Sequence, residues 1–277
     1  LYKIPLGNII GDAGFGYFNT AYDIYSVLLM ISTAGLPIAM SRMIAEAGSL
    51  KRYGQIRRIY QTALCIFLIL GVGGTVLMTG FSRPLANWMN SPNSWAAIAA
   101  LGPSALLMCL TSAFRGFFQG QGDMRPTSVS QVLEALCKLA VGLGLAWFIM
   151  KQKNDTALAA GGAILGVTSG CLIATLYMYN SYRHARRGLS SGGGGVSSFS
   201  RTAKQLLSIA IPITIGSAGL QIITLVDTKV VMSRLIGAAG FSQAEADSLK
   251  GVYNFAQTIF NLPYAFVSPL SISILPA

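Results

Sequence analysis

The sequence predicts an all-α polytopic membrane protein made of two pseudo-symmetric helical bundles, with about eight transmembrane helices in this chain. Hydrophobic residues make up 53% of its 277 residues and charged residues 10%, whereas a typical soluble domain has about a quarter charged residues. Apolar runs of about twenty residues, enough for a helix to cross a bilayer, recur along the chain. They lack the alternating pattern of a membrane barrel, so helices are expected to satisfy the backbone.

An internal repeat is the third observation behind this fold class. Residues 229–241 resemble residues 3–15 at a constant offset of 226, and residues 251–254 resemble residues 16–19 at an offset of 235. The second copy therefore has a loop that is nine residues longer. A repeat with one loop insertion indicates two paired structural units.

The helices follow from the apolar runs and the turn residues between them. We predict that helix 1 ends near residue 10 and that helices 2 to 8 cover about residues 16–45, 60–81, 94–117, 126–150, 156–182, 203–235 and 249–277. Prolines are expected to interrupt helices 2, 7 and 8 at Pro37, Pro212 and Pro263. The last residues stop inside an apolar run, so we expect the chain to be a fragment of a longer protein.

A glycine-rich segment divides the chain. Residues 188–202 contain four consecutive glycines, a composition typical of flexible linkers. We expect this cytoplasmic linker to separate an N-terminal bundle, residues 1–187, from the start of a C-terminal bundle, residues 203–277. Six helices in each unit would give both copies the same orientation, which is a parallel repeat about an axis along the membrane normal.

The basic residues predict the orientation in the membrane. The loops after helices 2, 4 and 6 carry twelve of them: Arg42, Lys51, Arg52, Arg57, Arg58, Arg115, Arg125, Arg183, Arg186, Arg187, Arg201 and Lys204. The opposite loops carry five: Arg83, Lys151, Lys153, Arg234 and Lys250. The positive-inside rule places the first group in the cytoplasm of a multi-pass cell membrane protein. Topology and anionic lipid headgroups account for most of the net charge of +11, so no nucleic-acid partner is predicted.

A polar stripe recurs in both copies at helical spacing. In the first copy it consists of Asn19, Asp23, Ser26 and Thr33, and in the second of Asn254, Thr258, Asn261 and Ser268. Each set lies on one helix face. In a chain this apolar, we expect both faces to line one cavity between the two halves, and helix 7 extends this polar surface with Ser217, Gln221, Thr224 and Thr228.

Several motifs are similar to those of a known superfamily. Lys3-Ile-Pro-Leu, Ile31-Ser-Thr-Ala-Gly-Leu-Pro and Phe114-Arg-Gly-Phe-Phe-Gln-Gly resemble the multidrug/oligosaccharidyl-lipid/polysaccharide exporters. Within them, the chain looks most like the polysaccharide-biosynthesis and stage V sporulation protein B branch, which is related to lipid II flippases. The resemblance covers essentially the whole chain.

The resemblance implies twelve or more helices in two bundles, with helices 1, 2, 7 and 8 around a central cavity. It also implies flipping of an undecaprenyl-pyrophosphate-linked sugar, such as a peptidoglycan precursor, to the outer leaflet. Lipid II flippases carry arginines in the cavity part of helix 2, whereas residues 27–33 of this chain have none. The implied partners are this lipid-linked sugar and membrane lipids.

A lipid pyrophosphate needs cations to replace part of its hydration in a space of low dielectric constant. Lys3 and Lys229 occupy matching places in the repeat and are candidates, although each could instead extend to the outer interface. Asp23 is either a proton or cation site or an interfacial carboxylate. The predicted cavity residues are Lys3, Asn19, Asp23, Ser26, Gln221, Lys229, Asn254 and Asn261.

Further charged residues have two interpretations each. Arg42 and Arg115 lie at the predicted cytoplasmic mouth, where they either receive the pyrophosphate or only set the topology. Glu134 and Lys138 are four residues apart on helix 5, where an acid and a base can pair. They form either a structural ion pair or a pair that couples transport to protons. The sequence contains no nucleophile with a base, no metal-ligand spacing and no phosphate-binding loop after a strand, so no enzyme, cofactor or metal is predicted.

We therefore expect a flippase that works by alternating access. A cation-coupled multidrug exporter of the same superfamily is an alternative, for which Asp23 would be the coupling carboxylate. A second alternative is a membrane scaffold in wall or spore assembly that transports nothing. Coupling of transport to a proton or cation gradient, or to the membrane potential, is left open by the sequence.

Overall fold

A computed structural model describes residues 2–153, 155–187, 197–261 and 263. Over these ranges the chain forms no strand, and its helices follow one another in this order: α1 (Lys3–Thr33), α2 (Gly35–Ser49), α3 (Tyr53–Gly80), α4 (Ser82–Trp88), a 3-10 turn (Pro92–Ser94), α5 (Trp95–Gly120), α6 (Arg125–Lys153), α7 (Thr156–Arg187), α8 (Phe199–Gly237) and α9 (Gln243–Phe260).

Six helical segments of the described chain are long and apolar enough to cross a membrane: Lys3–Ser49, Tyr53–Gly80, Pro92–Gly120, Arg125–Gln152, Thr156–Arg186 and Phe199–Gly237. The prediction of an all-α polytopic membrane protein is confirmed. The first segment has 47 residues, which as a straight helix would measure about 70 Å, more than twice the thickness of the hydrocarbon core. It therefore contains more than one pass.

The first segment contains more than one pass because α1 reverses direction at Gly11. This residue has φ 69° and ψ 178°, outside the helical region, and glycine adopts a positive φ without a Cβ penalty. Lys3 Nζ donates a hydrogen bond of 2.9 Å to Oδ1 of Asn19, sixteen residues away, whereas a straight helix would separate them by about 24 Å. α1 thus consists of two antiparallel arms, residues 3–10 and 12–33, which correspond to the end of predicted helix 1 and most of predicted helix 2.

The three predicted proline interruptions have different outcomes, and Pro263 lies three residues after the end of α9 at Phe260. Predicted helix 2 is interrupted as expected, because α1 ends at Thr33 and α2 starts at Gly35, two residues before Pro37. The predicted break at Pro212 is wrong, since α8 runs through this residue as one helix of 39 residues. A membrane helix tolerates proline where neighbouring helices compensate for the lost hydrogen bond.

Several helices extend further than predicted into the cytoplasm. α3 begins seven residues before the predicted start, and α7 ends five residues after the predicted end. Hydropathy marks only the part of a helix in hydrocarbon, whereas these basic ends continue among the headgroups. α8 likewise begins at Phe199, inside the predicted linker. Most of that linker, and Pro269 and Ser268 of predicted helix 8, lie outside the described residues.

Glycines bring α7 against α6. A Cβ on Gly166 would meet the backbone of Gly142, and one on Gly170 would lie 2.7 Å from the carbonyl oxygen of Glu134. Small residues at such positions allow close helix packing in lipid. Gly166 and Gly170 are four residues apart, a spacing that places them on the same face of α7. The four cysteines, Cys65, Cys109, Cys137 and Cys171, are free thiols.

Candidate functional site: the seam between the two repeats

The second arm of α1 crosses α9 at two glycines that the repeat relates. A Cβ on Gly16 would lie 2.5 Å from the carbonyl oxygen of Asp247, and a Cβ on Gly251 would meet the carbonyl oxygen of Asp12. The offset of 235 relates Gly16 to Gly251, and Asp12 and Asp247 each lie four residues before one of these glycines, so the two contacts are reciprocal. Reciprocal contacts of this kind are the mark of a two-fold relation. We call this contact region the seam.

A polar cluster in the seam joins three helices of both repeats. The carboxylate of Asp23 in α1 accepts a hydrogen bond of 2.9 Å from Thr228 Oγ1 in α8 and lies 3.8 Å from Lys250 Nζ in α9. Lys250 is 3% exposed and also donates a hydrogen bond of 2.6 Å to Thr20 Oγ1. We call these four residues the Asp23 cluster. A buried charge needs such a partner and such hydrogen bonds to be tolerated.

The Asp23 cluster lies about half a hydrocarbon thickness from the ends of the helices that carry it. Asp23 is eleven residues from Asp12 at the outer end of its arm, and Lys250 is seven residues from Gln243 at the start of α9. At 1.5 Å per residue these separations are about 16 and 11 Å, close to half of a ~30 Å hydrocarbon core. The contacts of the seam therefore extend over a length of about half the hydrocarbon core.

Hydrogen bonds at the outer ends of the helices continue the seam. Ser91 Oγ, after α4, donates to Asp247 Oδ1 at 3.0 Å, and Gln243 Nε2 donates to the carbonyl oxygen of Asn90 at 2.7 Å. Both pairs join the two repeats. The residues inserted in the second copy form the start of α9, six residues before the predicted start of helix 8, and not a loop. They supply contacts to the segment between α3 and α5.

A capping box fixes the start of α9. The side chain of Ser242 accepts a hydrogen bond from the backbone N–H of Glu245, and the Glu245 carboxylate accepts one from the backbone N–H of Ser242. This arrangement satisfies two helix-terminal donors. The hydrogen bonds from Ser242 also hold the pKa of the exposed Glu245 carboxyl below its usual value, because they favour its ionised form.

The two candidate lysines differ in their contacts. In the first repeat, Lys3 bonds to the buried Asn19. The repeat maps this pair onto Lys229 and Asn254, but Lys229 Nζ instead lies 4.2 Å from the ring centre of Trp88. Asn254 Nδ2 is buried and has no hydrogen-bond partner in the described chain. The structure therefore brings Lys3 and Asn19 together and keeps Lys229 apart from Asn254.

The remaining predicted cavity residues are Ser26, Gln221 and Asn261. Ser26 Oγ donates to the backbone carbonyl of Asp23 at 2.7 Å. Gln221 is half-buried on α8, and Asn261 is exposed just after the end of α9. Thr258 Oγ1 donates to the carbonyl oxygen of Asn254.

The predicted pairing of Glu134 with Lys138 is wrong. Glu134 Oε2 instead accepts a hydrogen bond of 3.0 Å from Arg115 Nη2, and Arg115 Nε donates to Ser130 Oγ at 3.1 Å. Lys138 Nζ lies 5.0 Å from the ring centre of Tyr22. Glu134 pairs with Arg115 because α5 packs beside α6 and brings the guanidinium close to the carboxylate. A planar guanidinium also suits a carboxylate better than an ammonium does.

This pairing also changes the interpretation of the cytoplasmic cations. Arg115 is 9% exposed and engaged with Glu134, so it does not present a free charge at the mouth. Arg42 is exposed on α2.

Lys250 is the main residue that the sequence analysis misplaced. It was assigned to an outer loop, whereas it lies inside α9 and is buried. The repeat could not identify it, because its equivalent at an offset of 235 is Phe15. Its position one helical turn before Asn254, on the polar stripe, was the available signal.

The fold and the seam together define a multi-pass membrane protein whose two repeated units meet about a pseudo-two-fold axis. A family model described as "Polysaccharide biosynthesis protein" matches residues 1–277, and the chain belongs to that family. The resemblance inferred from the motifs is confirmed.

Three curated relatives match nearly all of this chain. It is 28% identical to the uncharacterized membrane protein YabM, 25% to stage V sporulation protein B and 23% to lipid II flippase MurJ, all of Bacillus subtilis (strain 168). The matches cover 99–100% of this chain and 51–53% of the relatives. The chain thus spans about half the length of these proteins.

A solved structure shares the fold. It is described as the inward-facing conformation of a multidrug resistance MATE family transporter of the MOP superfamily. The two structures have a TM-score of 0.68 and 14% sequence identity, over 91% of this chain and 57% of the other.

Proposed function

We propose that the chain is part of a flippase that moves an undecaprenyl-pyrophosphate-linked oligosaccharide, or a peptidoglycan precursor, across the cell membrane by alternating access. The observation that carries this proposal is the Asp23 cluster. Of the ion pairs among the described residues, Asp23–Lys250 is the one that joins the two repeats. The family membership and the flippase among the relatives support the same function.

The closed seam defines one state of the transport cycle. With the seam closed, a headgroup would enter between the repeats from the cytoplasm and reach the underside of the Asp23 cluster. Asn254 lies there, one turn below Lys250, with a buried amide nitrogen that lacks a partner in the described chain. Buried donors are normally satisfied, so this amide is suited to bind a sugar hydroxyl or a phosphate oxygen.

Opening to the outer leaflet would separate the seam. Asp23 and Lys250 would part, and Lys229 would leave Trp88 as α8 moves away from α4. Freed from these contacts, Lys229 and Lys250 would present two ammonium groups to the pyrophosphate as it moves outward. Their charge would replace part of the hydration that the pyrophosphate loses.

The test uses the intact protein in vesicles that contain a fluorescent undecaprenyl-pyrophosphate-linked oligosaccharide. A membrane-impermeant quencher reports the fraction of headgroups on the outer leaflet over time. Wild-type protein is expected to move headgroups between leaflets, and the Lys229→Gln variant to do so at least about tenfold more slowly, which corresponds to about 1.4 kcal/mol of activation free energy.

The matched control is Lys51→Gln/Lys204→Gln, which removes two exposed cytoplasmic lysines and should leave the rate unchanged. Equal rates in protein-containing and empty vesicles would refute the flippase.

A cation-coupled exporter is the second candidate, favoured by the carboxylate of Asp23 in the seam. An exporter would move cationic drugs in the same vesicles when a proton or sodium gradient is imposed, and Asp23→Asn would abolish that movement. Drug transport without movement of the lipid-linked sugar would favour this candidate over the flippase.

A further inference from the structure

A groove on the first repeat lies between α3, α5 and α7, away from the seam. It has a volume of about 430 Å³, within the ~300–1,000 Å³ typical of ligand sites. Its wall is aromatic: the rings of Tyr60 and Tyr182 stack with centres 4.4 Å apart, and Phe114 meets Tyr179 edge to face at 6.2 Å. The groove wall is thus formed by aromatic side chains that pack against one another within the first repeat.

The groove opens on the surface that faces lipid. Leu68 and Leu176 line it and are 39% and 58% exposed, and both belong to helices that can span the membrane. In a bilayer their exposed surfaces contact acyl chains. A lipid molecule can therefore reach the groove from the side.

The two ends of the groove differ in polarity. Arg57, near the start of α3, and Arg186, near the end of α7, lie at the cytoplasmic end, while Leu68 and Leu176 line the other end. Eleven residues separate Arg57 from Leu68 and ten separate Arg186 from Leu176, or about 16 and 15 Å along the two helices. This length matches one leaflet of a ~30 Å hydrocarbon core.

The cations at the mouth are available for a ligand. Arg57 and Arg186 are exposed, and neither forms an ion pair with another described residue. Arg183 is three residues before Arg186 in the sequence, and its guanidinium lies 5.9 Å from the ring centre of Tyr179. Arginines bind phosphate oxygens through paired N–H donors, and basic pockets between membrane helices on the cytoplasmic side bind anionic headgroups.

We propose that this groove is a binding site for an anionic glycerophospholipid of the cytoplasmic leaflet. The headgroup phosphate lies between Arg57 and Arg186, and an acyl chain packs along the aromatic wall toward Leu68 and Leu176. The site is separate from the seam, so it binds membrane lipid independently of the transported substrate.

The test releases intact protein from nanodiscs that contain equal amounts of phosphatidylglycerol and phosphatidylcholine with identical acyl chains. Mass spectrometry of the protein–lipid complexes then counts the retained lipids. Wild-type protein is expected to retain phosphatidylglycerol preferentially. Each groove arginine should contribute about a fivefold preference, so Arg57→Gln/Arg186→Gln should reduce the ratio roughly 25-fold.

The matched control is Arg125→Gln/Arg201→Gln. It removes two exposed cytoplasmic arginines outside the groove and should leave the ratio within about twofold of wild type, because charges that do not contact the headgroup are screened. A phosphatidylglycerol with a photoreactive acyl chain locates the site, since it should label peptides of α3, α5 and α7.

Three outcomes would overturn the proposal. Equal retention of the two lipids would show that charge is not recognised, and an equal effect of both double variants would show a general surface effect. Displacement of phosphatidylglycerol by undecaprenyl phosphate at lower concentration would assign the groove to the polyprenyl substrate. None of these outcomes bears on flipping activity, which is measured separately.

Discussion

Gly16 and Gly251 occupy equivalent positions in the two repeats, and each packs against the backbone carbonyl four residues before the other, at Asp247 and Asp12 respectively. The absence of a side chain at both positions lets α1 and α9 approach closely. The closed seam depends on this pair.

We predict that Gly16→Ala and Gly251→Ala will each open the seam. The added methyl group would overlap a backbone carbonyl, which cannot move aside as a side chain can, and overpacking of this kind costs about 1–3 kcal/mol. Spin labels at the exposed outer positions 83 and 244, one in each repeat, should report a longer and broader distance distribution. Gly73→Ala is the control, because a Cβ there has no neighbour within 4 Å; a distance shift in the control alone would contradict the prediction.

The Asp23–Lys250 pair should be costly to break on one side. Asp23→Asn leaves the ammonium of Lys250 buried without its counter-charge, which typically destabilises a protein by about 3–5 kcal/mol. Asp23→Leu/Lys250→Met removes both charges and should come close to wild-type stability. Thermal unfolding in detergent measures both. A single variant as stable as the double variant would show that the pair carries no stabilising interaction.

The two repeat-related asparagines should respond in opposite ways to the same substitution. Asn19→Leu removes the acceptor of Lys3 and a hydrogen bond to the carbonyl oxygen of Phe15, so we expect it to lower the stability. Asn254→Leu removes a buried amide nitrogen without a partner, so it should leave stability unchanged or raise it by about 1 kcal/mol. The same Asn254→Leu variant should slow flipping if the amide binds substrate. Equal losses of stability in both variants would be inconsistent with the asymmetry between the repeats.

Glu134 should depend on Arg115 and not on Lys138. Arg115→Met leaves the Glu134 carboxylate without its ion pair inside the first repeat, with an expected loss of about 1–3 kcal/mol. Lys138→Met removes an ammonium that lies over tyrosine rings, with an expected loss of about 0.5–1 kcal/mol. Thermal unfolding of the two variants, and of each combined with Glu134→Gln, gives the coupling energies. A stronger coupling of Glu134 to Lys138 would restore the pairing expected from their spacing.

Part of the site could be predicted from the sequence. The repeat register correctly identified Gly16 and Gly251 as equivalent, and the polar stripe included Asp23 and Asn254. The repeat register could not identify the partner of Asp23, because at the offset of 235 the equivalent of Asp23 is Thr258 and that of Lys250 is Phe15. A contact between positions that the repeat does not relate leaves no trace in an internal alignment.

The sequence by itself determined the all-α membrane class, the order of the helices and the register of the repeat, because hydropathy and internal similarity are properties of the chain alone. The tertiary structure decided which charges pair: Asp23 with Lys250, Glu134 with Arg115, and Lys229 with the ring of Trp88. The physical reason is that a buried charge is stabilised by whichever group the packing of neighbouring helices brings within a few ångströms, and helix packing depends on residues far apart in the sequence.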